Sequence, residues 1–275
     1  MIRERRPLSA PRSLLSTLFS LFSMDKPRSL RVEAVVLRHS DFGEADRLLT
    51  LYTREQGKTR AVAKGARKIA SRKAGHLEPF TRVKLQLARG RDLFIVTQAE
   101  TVDAYPALRV DLTLTGYAAY VLELIDRFVP DEESASPSLY RLLTETLSRL
   151  DAGENPWLTV RSCEMRLLDL LGFRPRLFEC ANCGNEIQPE DQFFSAALGG
   201  AVCPRCGQGL PRLWPVSVDA LKYLRHFQRS DHRAAARARP NAETQKEIEA
   251  VMQGYFQYLL ERELNTPGFI KQIAR

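Results

Sequence analysis

Arg82-Val83-Lys84-Leu85-Gln86-Leu87 alternates polar and apolar residues without a break. A period of two over six residues is the signature of a β-strand with one buried face. Working outward, residues 30–37, 45–53, 58–64 and 93–99 carry further strand-like runs. Glu55-Gln56-Gly57-Lys58 and Arg89-Gly90-Arg91-Asp92 supply turn chemistry between them. Five short strands in fewer than about 80 residues suit a small closed barrel such as an OB-fold, with residues 65–78 as a long Gly- and Lys-bearing insertion. An SH3-like barrel is the alternative.

Beyond Tyr105-Pro106 the period changes to that of a helix. Leu114, Ala118, Val121, Leu122 and Ile125 lie on one stripe, and Leu139, Leu142, Leu143, Leu147 and Leu150 lie on a second. The acidic, turn-forming run 131–137 separates the two. A third helix has Asn155 at its N-cap and Pro156 at its first position. It carries Val160, Cys163, Leu167, Leu170 and Leu171 and stops at Gly172. Residues 177–210 break the helical pattern, and helices resume over 216–227 and 243–264. The last has Ile248, Val251, Met252, Tyr255 and Leu259 in register, and the Ala- and Arg-rich stretch 232–240 reads as an exposed connection. The expected fold class is therefore α+β: a disordered extension at 1–23, an OB-fold over 24–106, and a helical domain over 107–275 with an inserted element at 177–210. With 275 residues, two domains are the natural prior.

That inserted element holds the most specific motif in the chain. Cys180-Ala181-Asn182-Cys183-Gly184 is followed by Cys203-Pro204-Arg205-Cys206-Gly207, a spacing that suits four-cysteine zinc coordination. Two residues between cysteines let a tight turn aim both sulfurs at one ion, and the glycine after each pair relieves the turn. Four thiolates fill a tetrahedron and leave no open position, so the expected Zn2+ is structural. Phe193, Phe194 and Gly199-Gly200 resemble a hairpin stapled by that metal. A redox or chance pair of C-x-x-C motifs is the rival reading. Cys163 lies on an apolar helical stripe and reads as core.

The net charge of +8 is unevenly placed. Between Arg54 and Arg91 stand twelve Lys and Arg against only Glu55 and Glu78, a local balance of +10, so the remainder is slightly acidic. Such a concentration points to a polyanion, because each phosphate neutralised releases condensed counterions. The candidate DNA-binding residues are Lys58, Arg60, Lys64, Arg67, Lys68, Arg72, Lys73, Arg82, Lys84, Arg89 and Arg91. Tyr52, Phe80 and Phe94 lie among them, either as stacking platforms or as barrel core. A solvated face serving only solubility is the bland alternative.

Other classes find little support. Hydrophobic residues at 44% and charged residues at 27% are ordinary for a globular chain. The run from Arg3 to Phe22 imitates a signal peptide, but its apolar stretch is short and no clear small-x-small cleavage site follows. Met24 is a natural alternative start, and a thiolate-rich metal site suits the reducing cytoplasm. There is no G-x-x-x-x-G-K-[ST] loop, no G-x-S-x-G elbow and no H-E-x-x-H pair, while His39, His76, His226 and His232 are scattered. Asp41-Phe42-Gly43 reads as a chance match to a kinase tripeptide, and Asp131, Glu132 and Glu133 read as a solvated loop rather than a nuclease centre. No catalytic residues are expected.

Several of these segments together carry a family resemblance. Ala34-Val35-Val36-Leu37, Asp41-Phe42-Gly43-Glu44-Ala45-Asp46-Arg47, Gly57-Lys58, Lys64-Gly65-Ala66-Arg67-Lys68 and Leu77-Glu78-Pro79-Phe80 resemble the N-terminal domain of the RecO family. The run 167–175, Leu-Leu-Asp-Leu-Leu-Gly-Phe-Arg-Pro, ahead of Cys180, is similar to that family's approach to its zinc motif. The resemblance implies a non-enzymatic, nucleoid-associated recombination mediator of the RecF pathway. Such a protein binds single- and double-stranded DNA, anneals complementary strands, partners RecR, engages the C-terminal tail of single-stranded-DNA-binding protein and helps load RecA. Annealing needs a surface that screens two phosphate backbones while leaving bases free, which a mobile basic barrel would provide. An RNA-binding or translation-associated module and a zinc-bearing nuclease are the rival functions.

Overall fold

The computed structural model describes residues 28–131 and 135–273. The expected extension at 1–23, together with Glu132 and Glu133, lies outside the described residues.

Five strands, β1 (Ser29–Phe42), β2 (Asp46–Thr53), β3 (Gly57–Ala63), β4 (Arg82–Arg89) and β5 (Phe94–Asp103), close into an OB-like barrel in the order β1-β2-β3-β5-β4. Closure rests on a short parallel pairing of β3 with β5, Ala61 opposite Phe94 and Val62 opposite Ile95. The alternation in β4 is realised as read: Val83, Leu85 and Leu87 point inward. They meet Val32, Ala34 and Val36 of β1, Leu49 and Leu51 of β2, Ala61 and Ala63 of β3 and Val96 of β5. β1 runs past residue 37: residues 29–35 pair with β4 and residues 34–42 with β2, the latter ladder being irregular between Val36 and Arg38. The insertion is not loose. Ala66 and Leu77, the latter in a 3-10 turn spanning Ala74–Leu77, are buried in the barrel core.

The helices form around α1 (Ala107–Val110), α2 (Leu112–Phe128), α3 (Pro137–Asp151) and α4 (Pro156–Leu170). Asp111, Ser136 and Asn155 cap the last three, each accepting backbone N–H groups of the first turn. Leu170, expected on the apolar stripe of α4, is instead largely exposed at its end. Cys163 is core, and burial pushes its thiol up to about 12. Deep in this bundle Arg161 pairs with Glu164 at 2.8 Å, and the Tyr120 hydroxyl donates to the same carboxylate at 2.6 Å.

The inserted element contributes α5 (Pro204–Gly207) and a three-stranded sheet, ordered β7 (Gly200–Val202), β6 (Gln192–Ser195), β8 (Leu213–Val216), so the expected hairpin is present. It shares the helical core through Leu177, Ile187, Phe194 and Val202. The chain continues as α6 (Val218–Arg229), α7 (His232–Ala235), α8 (Ala242–Leu260) and α9 (Thr266–Ile273). Two expectations are corrected here. The stretch 232–240 is not simply an exposed connection, since Asp231 caps a helical turn and Ala235 and Ala238 are buried. The last long helix stops at Leu260, where Glu261 turns left-handed, and α9 starts afresh. Glu123 on α2 holds that new start, accepting from the backbone of Asn265 and Thr266 at 2.9 Å each.

Barrel and bundle share one interface. Val35, Leu37 and Tyr52 lie on the outward face of the barrel and belong to the same apolar cluster as Tyr105, Leu122, Leu139 and Tyr140. Tyr52 stacks on Tyr140 with centroids 6.4 Å apart. Lys58 Nζ donates to the carbonyls of Asp126 (2.6 Å) and Val129 (3.1 Å) and pairs with the carboxylates of Asp126 (2.9 Å) and Asp131 (3.1 Å). Arg38 adds a 2.9 Å pair to Asp126. Apolar packing and a charge cluster centred on the buried Lys58 thus join the barrel to the bundle.

Candidate nucleic-acid interface and metal centre

The eleven cations singled out in the sequence divide by location. Arg60, Lys64, Arg67, Lys68, Arg72, Lys84, Arg89 and Arg91 are exposed. Lys58 is buried in the domain interface, so its charge is spent inside the molecule. Arg82 is half-buried and donates through Nε to Glu33 at 2.6 Å, with the Tyr140 hydroxyl on the same carboxylate oxygen. Lys73 turns back onto the barrel, donating to the carbonyl of Val96 at 3.2 Å. All three find partners inside the protein. A count of charges along a strand does not reveal that its outward face is covered by another domain.

Strand register sorts the exposed group further. Lys84 sits mid-strand between Glu33 on β1 and Glu100 on β5, so two carboxylates flank it. Arg89 and Ala61 both pair with Phe94, which brings the ends of β3, β4 and β5 to one region of the barrel. Lys64, Arg89 and Arg91 lie at those ends, and Arg60, in the middle of β3, directly precedes Ala61. The insertion leaves from the same end of β3. Its Arg67 is braced there by the Asp41 carboxylate at 3.2 Å and the Glu44 carbonyl at 3.3 Å. Among the described residues, Arg60, Lys64, Lys68 and Arg72 have no carboxylate partner, which leaves their charge available to an external anion.

The aromatics serve the cores. Tyr52 is 1% exposed in the domain interface, Phe80 packs against the helical core, and Phe94 packs against the barrel core. Sequence reasoning also missed Arg38 and Asp126 as domain clamps. The signal was present in Ala34-Val35-Val36-Leu37, an unbroken apolar run that a strand uses when both faces are covered. On the helical side, Arg225 and Arg229 lie over the Phe178 ring, 4.9 and 3.6 Å from its centroid, and Arg225 also donates to the Leu177 carbonyl at 2.8 Å. Arg233, Arg237 and Arg239 are exposed.

The second site is the cysteine cluster. The sulfurs of Cys180, Cys183, Cys203 and Cys206 all lie within 4.8 Å of one another. A tetrahedral Zn–S site with bonds of about 2.3 Å has sulfurs about 3.8 Å apart, so the donors are near the required spacing. Burial disfavours the Cys180 thiolate, but the backbone N–H groups of Cys183, Cys203 and Asn182 outweigh it and bring its pKa down to about 6. Cys203 behaves in the opposite sense. The N–H of Cys206 favours its thiolate, yet burial and the adjoining thiols of Cys206 and Cys180 push it up to about 11. Crowded sulfurs cannot all ionise without a cation, so the donor set fits a thiophilic metal. The two glycines serve different ends. Gly184 takes a left-handed φ of +76° and closes its knuckle by donating to the Cys180 carbonyl at 2.9 Å. Gly207 has no such φ; a Cβ there would run into the Phe193 ring.

Residues 24–105 match the family model described as Recombination protein O N terminal, and residues 109–267 match Recombination protein O C terminal. A protein of Roseiflexus sp. (strain RS-1) named DNA repair protein RecO is 43% identical over 251 residues, covering 91% of this chain and 88% of its own. Proteins of the same name from Dehalococcoides mccartyi (strain ATCC BAA-2266 / KCTC 15142 / 195) and Pelotomaculum thermopropionicum are each 37% identical. They cover 92% and 89% of this chain, and 99% and 94% of their own lengths.

Proposed function

The chain belongs to the RecO family of DNA repair proteins, and from that premise we propose that it is a recombination mediator whose DNA surface is the cationic end of the barrel. The observation that carries this reading is the set Arg60, Lys64, Lys68 and Arg72, exposed and without carboxylate partners among the described residues. Phosphates of single- or double-stranded DNA would be held there by charge, with little dependence on base sequence. Two backbones brought to one cationic surface repel each other less, and their outward bases pair; the protein anneals strands without making or breaking a covalent bond. Handing the product to RecA, together with RecR and the tail of single-stranded-DNA-binding protein, is the wider role proposed for it in the cytoplasm. Among the described residues no helix is long and apolar enough to cross a membrane.

Cys180, Cys183, Cys203 and Cys206 would hold one Zn2+. When bound, the ion neutralises the thiolates and crosslinks the two knuckles. The protein's own residues do the remainder: Asn182, Cys183 and Cys203 orient the Cys180 sulfur through their N–H groups, the last at 3.4 Å. Phe194 and Val202 tie the sheet to the helical core.

The test is annealing of two complementary single strands followed by fluorescence, comparing the wild type with a variant carrying Ala at Arg60, Lys64, Lys68 and Arg72. Acceleration by the wild type and its loss in the folded variant is the expected outcome. A variant that anneals as fast as the wild type would remove the barrel end from the mechanism. Competition with an RNA oligonucleotide of matched sequence separates the RNA-binding rival, which predicts preferential displacement by RNA.

A further inference from the structure

The insertion between β3 and β4 contains no carboxylate between Glu55 and Glu78, and at its tip, inside Arg67-Lys68-Ile69-Ala70-Ser71-Arg72-Lys73, stands an aliphatic residue. Ile69 is fully exposed, at 108% of its reference area. The loop that carries it is fastened at many points. Ala66 and Leu77 anchor its two limbs in the barrel core. Gly65 donates to the Asp46 carboxylate at 2.7 Å and Arg67 to the Ala45 carbonyl at 2.9 Å. Ser71 donates to the Lys68 carbonyl at 2.9 Å, which makes residues 68–71 a closed turn with Ile69 at its first corner. Turn corners ordinarily carry Gly, Asn, Asp or Pro. A branched aliphatic there contributes nothing to the turn and gains no burial.

We propose that Ile69 is an apolar wedge that enters between neighbouring bases of a strand seated on Lys64, Arg67, Lys68 and Arg72. The inference rests on the DNA-binding reading above and deepens it by assigning the part that touches bases. Aliphatic side chains presented beside cations are suited to this, because the cations hold the backbone while the wedge unstacks one step and gains the burial it lacks in the free protein. Phe42, 45% exposed and next to the Asp41 that braces Arg67, places a second apolar side chain at the same end of the barrel. The cations select an anionic partner: the insertion itself carries no carboxylate before Glu78, and of its Lys and Arg side chains among the described residues only Arg67 is ion-paired, with Asp41 of β1.

The experiment uses the full chain and a single-stranded oligonucleotide containing 2-aminopurine, whose emission rises when it is unstacked. Wild type at saturation should raise emission at least about twofold. Ile69→Ser should abolish most of that rise and weaken binding about tenfold, the order expected for losing the burial of one aliphatic side chain. Ile69→Leu should restore both. Because phosphate contacts are untouched, the slope of log affinity against log salt should be unchanged in either variant. Binding without a rise in emission by wild type, or an equal rise with Ile69→Ser, would overturn the wedge and leave the DNA-binding reading standing. If Ile69→Ser loses capture by anionic phospholipid vesicles while its DNA signals match the wild type, the tip addresses lipid and the proposal fails. If the wild type binds no DNA, both readings fall together.

Discussion

Changing Lys58 to Ala tests whether the most buried of the eleven candidate cations holds the fold or the ligand. Its Nζ satisfies two carbonyls and two carboxylates across the barrel–bundle interface. Removing one member of a buried pair costs about 3–5 kcal/mol, because the remaining charge is stranded. Asp126 keeps Arg38 as a partner at 2.9 Å and retains 18% side-chain exposure, which places the loss at the low end, about 3 kcal/mol. For a chain of this size that is a fall in Tm of roughly 6–12 °C. The pH dependence follows from Asp126. Burial pushes its carboxyl up, but Lys58 and Arg38 outweigh burial and hold it below its ordinary value. A depressed carboxylate contributes stability that is fully present above its unfolded pKa and is lost as pH falls through the folded one. The gap between wild type and Lys58→Ala should therefore be constant above about pH 4 and close below it. Urea titrations followed by circular dichroism at several pH values measure this. Arg60→Ala, on the exposed face of the same strand, should stay within about 0.5 kcal/mol of wild type and weaken DNA binding. Wild-type stability in Lys58→Ala combined with a loss of DNA affinity matching that of Arg60→Ala would refute the assignment of Lys58 to the interface.

Purified protein should contain one zinc per chain by elemental analysis, and Cys180→Ser should lose the metal and unfold at lower temperature, before any specific DNA contact is affected. Burial, opposed by Arg161 and Tyr120, raises the Glu164 carboxyl to about 7. The raised pKa makes the fold lose stability as pH rises from about 4.5 to 7, and Glu164→Gln should flatten that slope in denaturant titrations. Gly254 lies inside α8 where a Cβ would strike the Trp214 indole. Gly254→Ala should therefore destabilise by about 1–3 kcal/mol in melting experiments, although Ala ordinarily favours a helix.

The barrel was legible because its strands alternate cleanly, as in Arg82 to Leu87, and the knuckles because two C-x-x-C pairs have little other use. Helix starts were legible where local chemistry writes them, as with Asn155-Pro156. What escaped the sequence was long-range. The start of α9 depends on Glu123, more than a hundred residues away, and the glycine in α8 depends on a tryptophan in β8. Eight of the eleven candidate cations are exposed, as their charge alone suggested; that Lys58 and Arg82 turn inward depends on which strand face the helices cover, while Lys73 is drawn to the Val96 carbonyl by the path of the insertion. Ile69 passed unnoticed because one apolar residue in a cationic run disturbs neither periodicity nor net charge.

Val35, Leu37 and Tyr52 have a practical implication for anyone dividing the chain. Severed after residue 106, the barrel would present those side chains and the uncapped Lys58 to water, while the helical half would lose the floor beneath Tyr140. The fragment that looks most like a self-sufficient binding module is thus the one expected to clump when produced alone. A weak DNA signal from such a fragment would report its damaged flank rather than its cationic end.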